Sequence, residues 1–421
     1  MIHVCYELTD STGHYSKFVG TSMLSMFENT KSEVTVHILH DNTLSADNRD
    51  KIASVAKRYN QQIKFYNVEE LAPEDIALYK KFLSEYLLER FSIATMYRLV
   101  THKVLAEDIE KVIHLDADTI INLDIEKFYK IDLGDKVLAC VPETVSNSNI
   151  FSVISVNEKL CRDNIVNTRN YFSAGILLIN LKYFRQMNEH KWLEDIEFVL
   201  QRYNRMPDQN ILNYCFSEKS LHLSAKFNCW ISELRNKNFY KLEENIYHYN
   251  GRTLLMDTGD IYNKIFFEYF MQTPWFNIEI FNNLSVGLNK WHDERQEFMI
   301  RVTAGLAGKE RAFFTEHCNI KPVKKTFLIR DSEEIFATEA DEDFENSIEN
   351  ISGSVIKLLE AMRKSARKKF YFLLIGGHYK NLCPILKSEG FVENEDFTDG
   401  QLFRSASSGE PLDTYSIVKA I

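Results

Sequence analysis

Lys111-Val-Ile-His-Leu-Asp-Ala-Asp-Thr-Ile-Ile-Asn-Leu123 is an apolar run that ends in two carboxylates, Asp116 and Asp118, one residue apart. On an extended strand, side chains at i and i+2 project to the same face. The spacing therefore predicts two acids side by side at the end of a buried strand. Such a pair repels itself and costs desolvation energy. A hard divalent cation removes that cost, and oxygen ligands suit Mg²⁺ or Mn²⁺. The alternative is a solvated turn carrying two surface acids.

Outward toward the N-terminus, strand-like and helix-like segments alternate. Ile2–Tyr6, Glu33–Leu39 and Gln62–Tyr66 read as strands. Lys17–Glu28, Ser45–Tyr59 and Ile93–Ala106 read as helices. This alternation predicts βαβ units and a mostly parallel sheet. Such sheets take ligands beyond the carboxyl ends of their strands, where the two acids lie.

Toward the C-terminus, Phe172–Asn180 passes from small residues into an apolar strand, and Gly175 suggests a close backbone approach. A helix is expected over Leu193–Arg202, another opens at Pro207-Asp208-Gln209-Asn210, and Asn245–Tyr249 reads as a short strand. Beyond Pro274-Trp275 the character changes. Leu284–Glu316 reads as one or two helices, Thr326–Arg330 as a strand and Asp331–Glu349 as an acidic stretch. Val355–Lys364 reads as a helix, Phe370–Ile375 as a buried strand, and Gly376-Gly377 leads into a helix ending near Ser388.

The chain has 421 residues, enough for two domains. Its formal net charge of −10 argues against a nucleic-acid partner. The basic stretches Lys321–Lys325 and Arg363–Lys369 read as solvated faces, so at most peripheral membrane contact is expected. No apolar run approaches the roughly 20 residues of a membrane helix. The seven cysteines are scattered without a CxxC pair and read as free thiols. A reducing cytoplasm is the expected compartment, since the chain opens directly on a strand.

Asp-x-Asp at 116–118, Ser173-Ala174-Gly175, Pro207-Asp208-Gln209-Asn210 and His248-Tyr249-Asn250-Gly251 occur in this order. Over residues 1–280 the chain thereby resembles glycosyltransferase family 8, which holds glycogenin and bacterial lipooligosaccharide galactosyltransferases and glucosyltransferases. Thr95-Met-Tyr-Arg98 and Lys182-Tyr183-Phe184 add to the likeness. The resemblance implies an α/β domain of GT-A type over 1–282, with 283–421 as a helical segment plus a small α/β add-on domain. It also implies a UDP-sugar donor, Mn²⁺ or Mg²⁺, and retention of anomeric configuration. Asp116, Asp118 and His248 would hold the metal. Asp10, Tyr15, Arg98, Asp116, Ala117, Ser173, Ala174, Gly175, Gly251 and Arg252 would line the nucleotide-sugar site. Tyr15 would stack on the uracil. Asp208 would accept from sugar hydroxyls, and Gln209 would lie near the anomeric carbon as a stabiliser of positive charge. Without the resemblance, Arg98 reads as a surface helix arginine and Asp208 as a helix N-cap.

One departure stands out. Leu254 occupies the position of the lysine with which the family contacts the diphosphate, and Arg252 is the residue placed to supply that charge. The reading is therefore a retaining hexosyltransferase moving galactose or glucose from a UDP-sugar to a glycan or glycoprotein acceptor, in bacterial cell-surface glycan synthesis. A catalytically silent scaffold subunit is the alternative from another class. A nucleotidyltransferase would want a basic, Gly-rich loop, and Leu8–His14 holds only Gly13 and no Lys or Arg.

Overall fold

The computed structural model describes residues 1–83, 88, 92–146, 158–231, 234, 242–249, 261–277, 279, 309–316, 334–338, 359–360, 363, 370–374 and 379–399. The chain forms two compact units, Met1–Phe281 and Asn282–Ile421.

The first unit is built on a seven-stranded sheet. Its strands are β1 (Ile2–Leu8), β2 (Val34–His40), β3 (Gln62–Asn67), β4 (Lys111–Leu115), β6 (Leu138–Cys140), β7 (Ile176–Asn180) and β8 (Ser220–His222), in the order β3-β2-β1-β4-β7-β6-β8. The sheet is parallel except at β7, which runs antiparallel to both β4 and β6. That reversal is the departure from the expected βαβ series. It lets Gly175, just ahead of β7, meet the end of β4, and Asp116 N–H donates to Gly175 O at 2.8 Å. A second sheet carries β5 (Thr119–Ile121), β9 (Cys229–Trp230) and β10 (Ile246–His248) in the order β5-β10-β9.

Helix boundaries follow local chemistry. Ser45 caps Ala46–Arg58 by accepting from Asn48 N–H, with Asp47 in the first turn and Lys57 and Arg58 in the last. Asn188 likewise caps Glu189–Arg202, which buries Trp192, Ile196, Val199 and Leu200 at helical spacing. Those side chains join a core with Leu177, Ile179, Ile211 and Leu212, and each such burial stabilises by roughly 1.5–3 kcal/mol. The expected single helix over Ile93–Ala106 is instead a 3₁₀ segment, Ile93–Leu99, followed by one α-turn, Thr101–Val104. Arg185 pins the loop that feeds β4, donating to the carbonyls of His102, Leu105, Ala106, Glu107 and Ile109.

The second unit holds a parallel four-stranded sheet ordered β12-β11-β13-β14, with β11 (Glu310–Glu316), β12 (Glu334–Thr338), β13 (Phe370–Leu374) and β14 (Phe397–Asp399). Helix Tyr379–Ser388 packs Leu382 and Leu386 with Phe372, Leu374 and Phe397. One expectation is corrected here. The helical reading of Leu284–Glu316 fails over Glu310–Glu316, where Ala-Phe-Phe-Thr is a sheet sequence paired on both sides. The acidic stretch after Asp331, whose composition alone sets no secondary structure, contains a strand, Glu334–Thr338. The strand expected at Thr326–Arg330 and the turn at Gly376-Gly377 lie outside the described residues, as does most of the helix expected over Val355–Lys364. Among the described residues no helix is long and apolar enough to cross a membrane. Six cysteines are free thiols, with Cys5, Cys140 and Cys161 buried, and Cys318 is outside the described residues.

Candidate active site

The opening motif works through a turn rather than a pleat. β4 stops at Leu115 and β5 starts at Thr119, so Asp116, Ala117 and Asp118 form the corner between two sheets. Thr119 Oγ1 donates to Asp116 O at 2.8 Å and closes this corner. The bend turns both carboxylates toward β10, where the backbone of Tyr249 donates to Asp118 O at 3.0 Å. His248 Nε2 then lies 3.6 Å from Asp116 Oδ2 and 3.4 Å from Asp118 Oδ1. The three ligand atoms fall within 4.8 Å of one another. The alternative of two solvated surface acids does not hold, since Asp118 is buried and Asp116, with its side chain 31% exposed, is bonded by Arg98.

The electrostatics of this corner are unbalanced. Burial, more than any single neighbour, disfavours the ionised Asp116 carboxylate; Arg98 and His248 oppose this, and its pKa ends above the ordinary carboxylate value. Burial disfavours a charged His248, but Asp118 and Asp116 outweigh it and raise the imidazole pKa. His248 Nδ1 donates to Asn228 Oδ1 at 2.9 Å, which leaves Nε2 for the acids. A Cβ on Gly175 would meet Asp116 Oδ2 at 2.5 Å and His248 Cε1 at 2.6 Å, so any side chain would fill this corner. Two carboxylates and one imidazole nitrogen, held close beside Arg98, are a donor set that fits a divalent cation.

Arg98 is buried, at 6% exposure, so its reading as a surface helix arginine is overturned. Its Nη2 donates to Asp116 Oδ1 at 2.9 Å and lies 3.4 Å from Glu7 Oε2. Its Nη1 lies 3.3 Å from Asp208 Oδ2 and donates to Ala174 O. Asp208 is not the N-cap; Met206 is, Pro207 is the first helical residue, and Asp208 stands in the first turn. Its burial outweighs the opposing pull of Arg98 and raises its pKa to about 6.

Gln209 is fully engaged. Its Nε2 donates to Glu143 Oε1 and to Tyr171 Oη, both at 3.0 Å, and its Oε1 accepts from Ala174 N at 3.0 Å. An amide cannot be flipped between an acceptor-only carboxylate and a donor-only backbone N–H, so its orientation is fixed. Asn213 ties the same helix to Phe172 through N–H and C=O at 2.9 and 2.8 Å. Ser173 Oγ folds back on its own turn, accepting from Gly175 N at 3.4 Å.

Tyr15 stands at the start of helix Ser16–Asn29 with its side chain 41% exposed. Asp10 sits beneath this loop at 2% exposure. Its oxygens accept from Tyr15 N, Ser16 N, Ser16 Oγ and Asn48 Nδ2, so it builds the turn. Ala117 and Ala174 are buried beside the acids. Gly251 and Arg252 lie outside the described residues. The sequence reading missed Glu7, His114, Glu143, Tyr171 and Asn228. A charged Glu7 in the apolar run Ile2–Leu8 was the one available signal; the others need the third dimension.

The profile of glycosyl transferase family 8 matches residues 8–253. A putative glycosyltransferase of Haemophilus influenzae is 28% identical over 251 residues, 57% of this chain and 69% of that protein. The lipopolysaccharide 1,2-glucosyltransferase of Escherichia coli is 24% identical over 282 residues, 63% of this chain and 77% of that protein. The solved galactosyltransferase LgtC, in complex with donor and acceptor sugar analogues, superposes with a TM-score of 0.51 at 22% identity, covering 66% of this chain and 98% of LgtC. That likeness shows the shared GT-A fold, and the profile match over more than half of the sequence shows the family: the chain belongs to glycosyltransferase family 8.

Proposed function

We propose that the chain is a retaining, cation-dependent hexosyltransferase that moves glucose or galactose from a UDP-sugar to a glycan or glycoprotein acceptor in bacterial cell-surface glycan synthesis. The observation that carries this reading is the Asp116–Asp118–His248 corner, closed by Gly175 and set against Asp208 and Gln209. Asp116, Asp118 and His248 would hold the ion, and the imidazole favours Mn²⁺ over Mg²⁺. When bound, the ion supplies charge neutralisation for the diphosphate leaving group. Tyr15 offers an exposed ring for the uracil, and Arg252 the charge absent at Leu254. Asp208 accepts from sugar hydroxyls. Gln209 is a poor nucleophile, so its fixed carbonyl stabilises positive charge at the anomeric carbon. The Escherichia coli relative is named a glucosyltransferase and the solved LgtC a galactosyltransferase, which supports glucose or galactose. All these residues lie in the first unit, so donor chemistry is assigned to 1–282 and acceptor or partner binding to 283–421.

A panel of UDP-sugars, assayed for UDP release with Mn²⁺, Mg²⁺ and EDTA, tests the reading. Turnover with UDP-glucose or UDP-galactose that EDTA abolishes and Mn²⁺ restores is the expected result. Full activity in EDTA overturns the cation's role. UDP binding without turnover on any sugar favours the silent scaffold. The anomeric coupling of the product by NMR should report an α linkage, and a β linkage excludes retention.

A further inference from the structure

Glu7, the penultimate residue of β1, is 7% exposed, with His114 and Arg98 against its carboxylate. It brings a fourth carboxylate to a buried region that already holds Asp116, Asp118 and Asp208 beside Arg98. Burying another acid there costs free energy unless it is paired. Glu7 is paired on both sides. His114 Nδ1 lies 2.5 Å from its Oε1, and Arg98 Nη2 lies 3.4 Å from its Oε2. His114 is itself held, with Nε2 3.1 Å from Thr101 Oγ1. Glu7 thus stands between β4 and the guanidinium.

Arg98 divides its donors between sides. One terminal nitrogen reaches Asp208 and Ala174 O, and the other reaches Asp116 Oδ1 and Glu7. Asp116 keeps its second oxygen, Oδ2, turned to His248. The division matters because Arg98 competes for the same carboxylate that faces the ligand corner. An arginine drawn wholly onto Asp116 would neutralise it. A carboxylate behind the arginine shares the positive charge and holds the fork in place.

We propose that Glu7, clamped by His114, is a positioning residue that holds Arg98 back so that Asp116 keeps one oxygen available for the divalent cation. The proposal rests on the cation-dependent reading above. Residues bonded directly to ligands commonly change metal affinity by about 10–100-fold when mutated, and Glu7 acts one contact further out, through Arg98, so the low end of that range is expected. Glu7→Gln keeps the shape, removes the charge and frees Arg98 to bear on Asp116.

Mn²⁺ dissociation constants, read from the electron paramagnetic resonance signal of free Mn²⁺ at fixed UDP, test it on the full chain, with melting temperature recorded in EDTA. Glu7→Gln should weaken Mn²⁺ binding about tenfold at unchanged or higher metal-free melting temperature, and Glu7→Asp, which keeps the charge, should fall between it and wild type. Equal Mn²⁺ affinity in folded Glu7→Gln and wild type overturns the positioning role and leaves the cation site standing. A lowered melting temperature with unchanged affinity also overturns it, in favour of packing alone. Should Glu7→Gln not fold, wild-type affinity in Glu7→Asp overturns the proposal. No Mn²⁺ binding to wild type overturns both it and the reading on which it rests.

Discussion

The two halves of the candidate site are built on opposite principles. Around Gln209, donors and acceptors are matched: Glu143, Tyr171 and Ala174 engage both ends of the amide, and Asn213 ties the helix to Phe172. Around Asp116 the charges do not balance, and burial raises the carboxylate pKa despite Arg98 and His248. A satisfied polar network rigidifies, whereas a close cluster of like charges costs free energy that a cation can offset. The difference assigns geometry to the first half and ligand binding to the second.

The largest effects should come from breaking the unbalanced half. Asp116→Asn, Asp118→Asn and His248→Ala should each reduce transfer by on the order of a hundredfold or more, comparable to losing a principal charge stabiliser. Mn²⁺ at a hundredfold excess over Kd should stabilise the wild type by about 2.7 kcal/mol and so raise its melting temperature, and these variants should lose that rise. In EDTA, Asp116→Asn should be no less stable than wild type, because the amide keeps an acceptor for Arg98 and removes a disfavoured charge. A metal-free destabilisation as large as the activity loss would show that this half is structural.

Asp208 lies at the seam, and its pH dependence has a definite sign. Its pKa in the fold is raised from 3.8 to about 6. The native state therefore binds more protons than the unfolded chain across that window, and this site's contribution to stability falls as pH rises through it. Asp208→Asn does not titrate. Without metal, its stability relative to wild type should grow between pH 4 and 7 by up to about 3 kcal/mol. Paired denaturant titrations at the two pH values check this, and a constant difference would place the titration elsewhere.

Breaking the balanced half should look different. Gln209→Ala removes a donor to Glu143 and the acceptor of the buried Ala174 N–H, at about 1–3 kcal/mol for a group left unsatisfied. It should lower melting temperature with or without Mn²⁺ and, on the proposed role at the anomeric carbon, reduce kcat more than it raises KM. An unchanged melting temperature would mean that the network in the fold is not what holds the amide.

What was legible in the sequence follows the same division. The βα pattern of the N-terminal third and the apolar strand after Gly175 were readable because hydrophobic period and helix caps are local signals. Gly175 was flagged as a close approach, and the atoms it approaches are Asp116 Oδ2 and His248 Cε1. The mechanism of convergence was misread: Asp116 and Asp118 meet His248 through a corner between two sheets, which a strand period cannot anticipate. Arg98 looked exposed because its partners Glu7, Asp116 and Asp208 are distant in sequence. Glu310–Glu316 was read as helix because its strand identity depends on pairing with β12 and β13. Short strands such as β6 and β8, with three residues each, carry too little pattern to be seen alone.

The smallest expected effect asks whether the unbalanced half lacks only a cation or is also loosely held. His248 Nδ1 donates to Asn228 Oδ1 at 2.9 Å, and Asn228 is fully buried. That bond fixes the tautomer and the ring plane and leaves the Nε2 lone pair to a cation. Asn228→Ala should weaken Mn²⁺ binding by about tenfold, with catalysis recovering at high Mn²⁺ because the ligands themselves remain. Asn228→Asp should act in the opposite direction, since a carboxylate on Nδ1–H makes the imidazole a stronger donor, although the added buried acid lowers metal-free stability. Calorimetric titration with Mn²⁺ separates the outcomes. Opposite signs in the two variants would show that His248 is tuned through this bond, and equal affinities in both would show that strand β10 alone sets the ring.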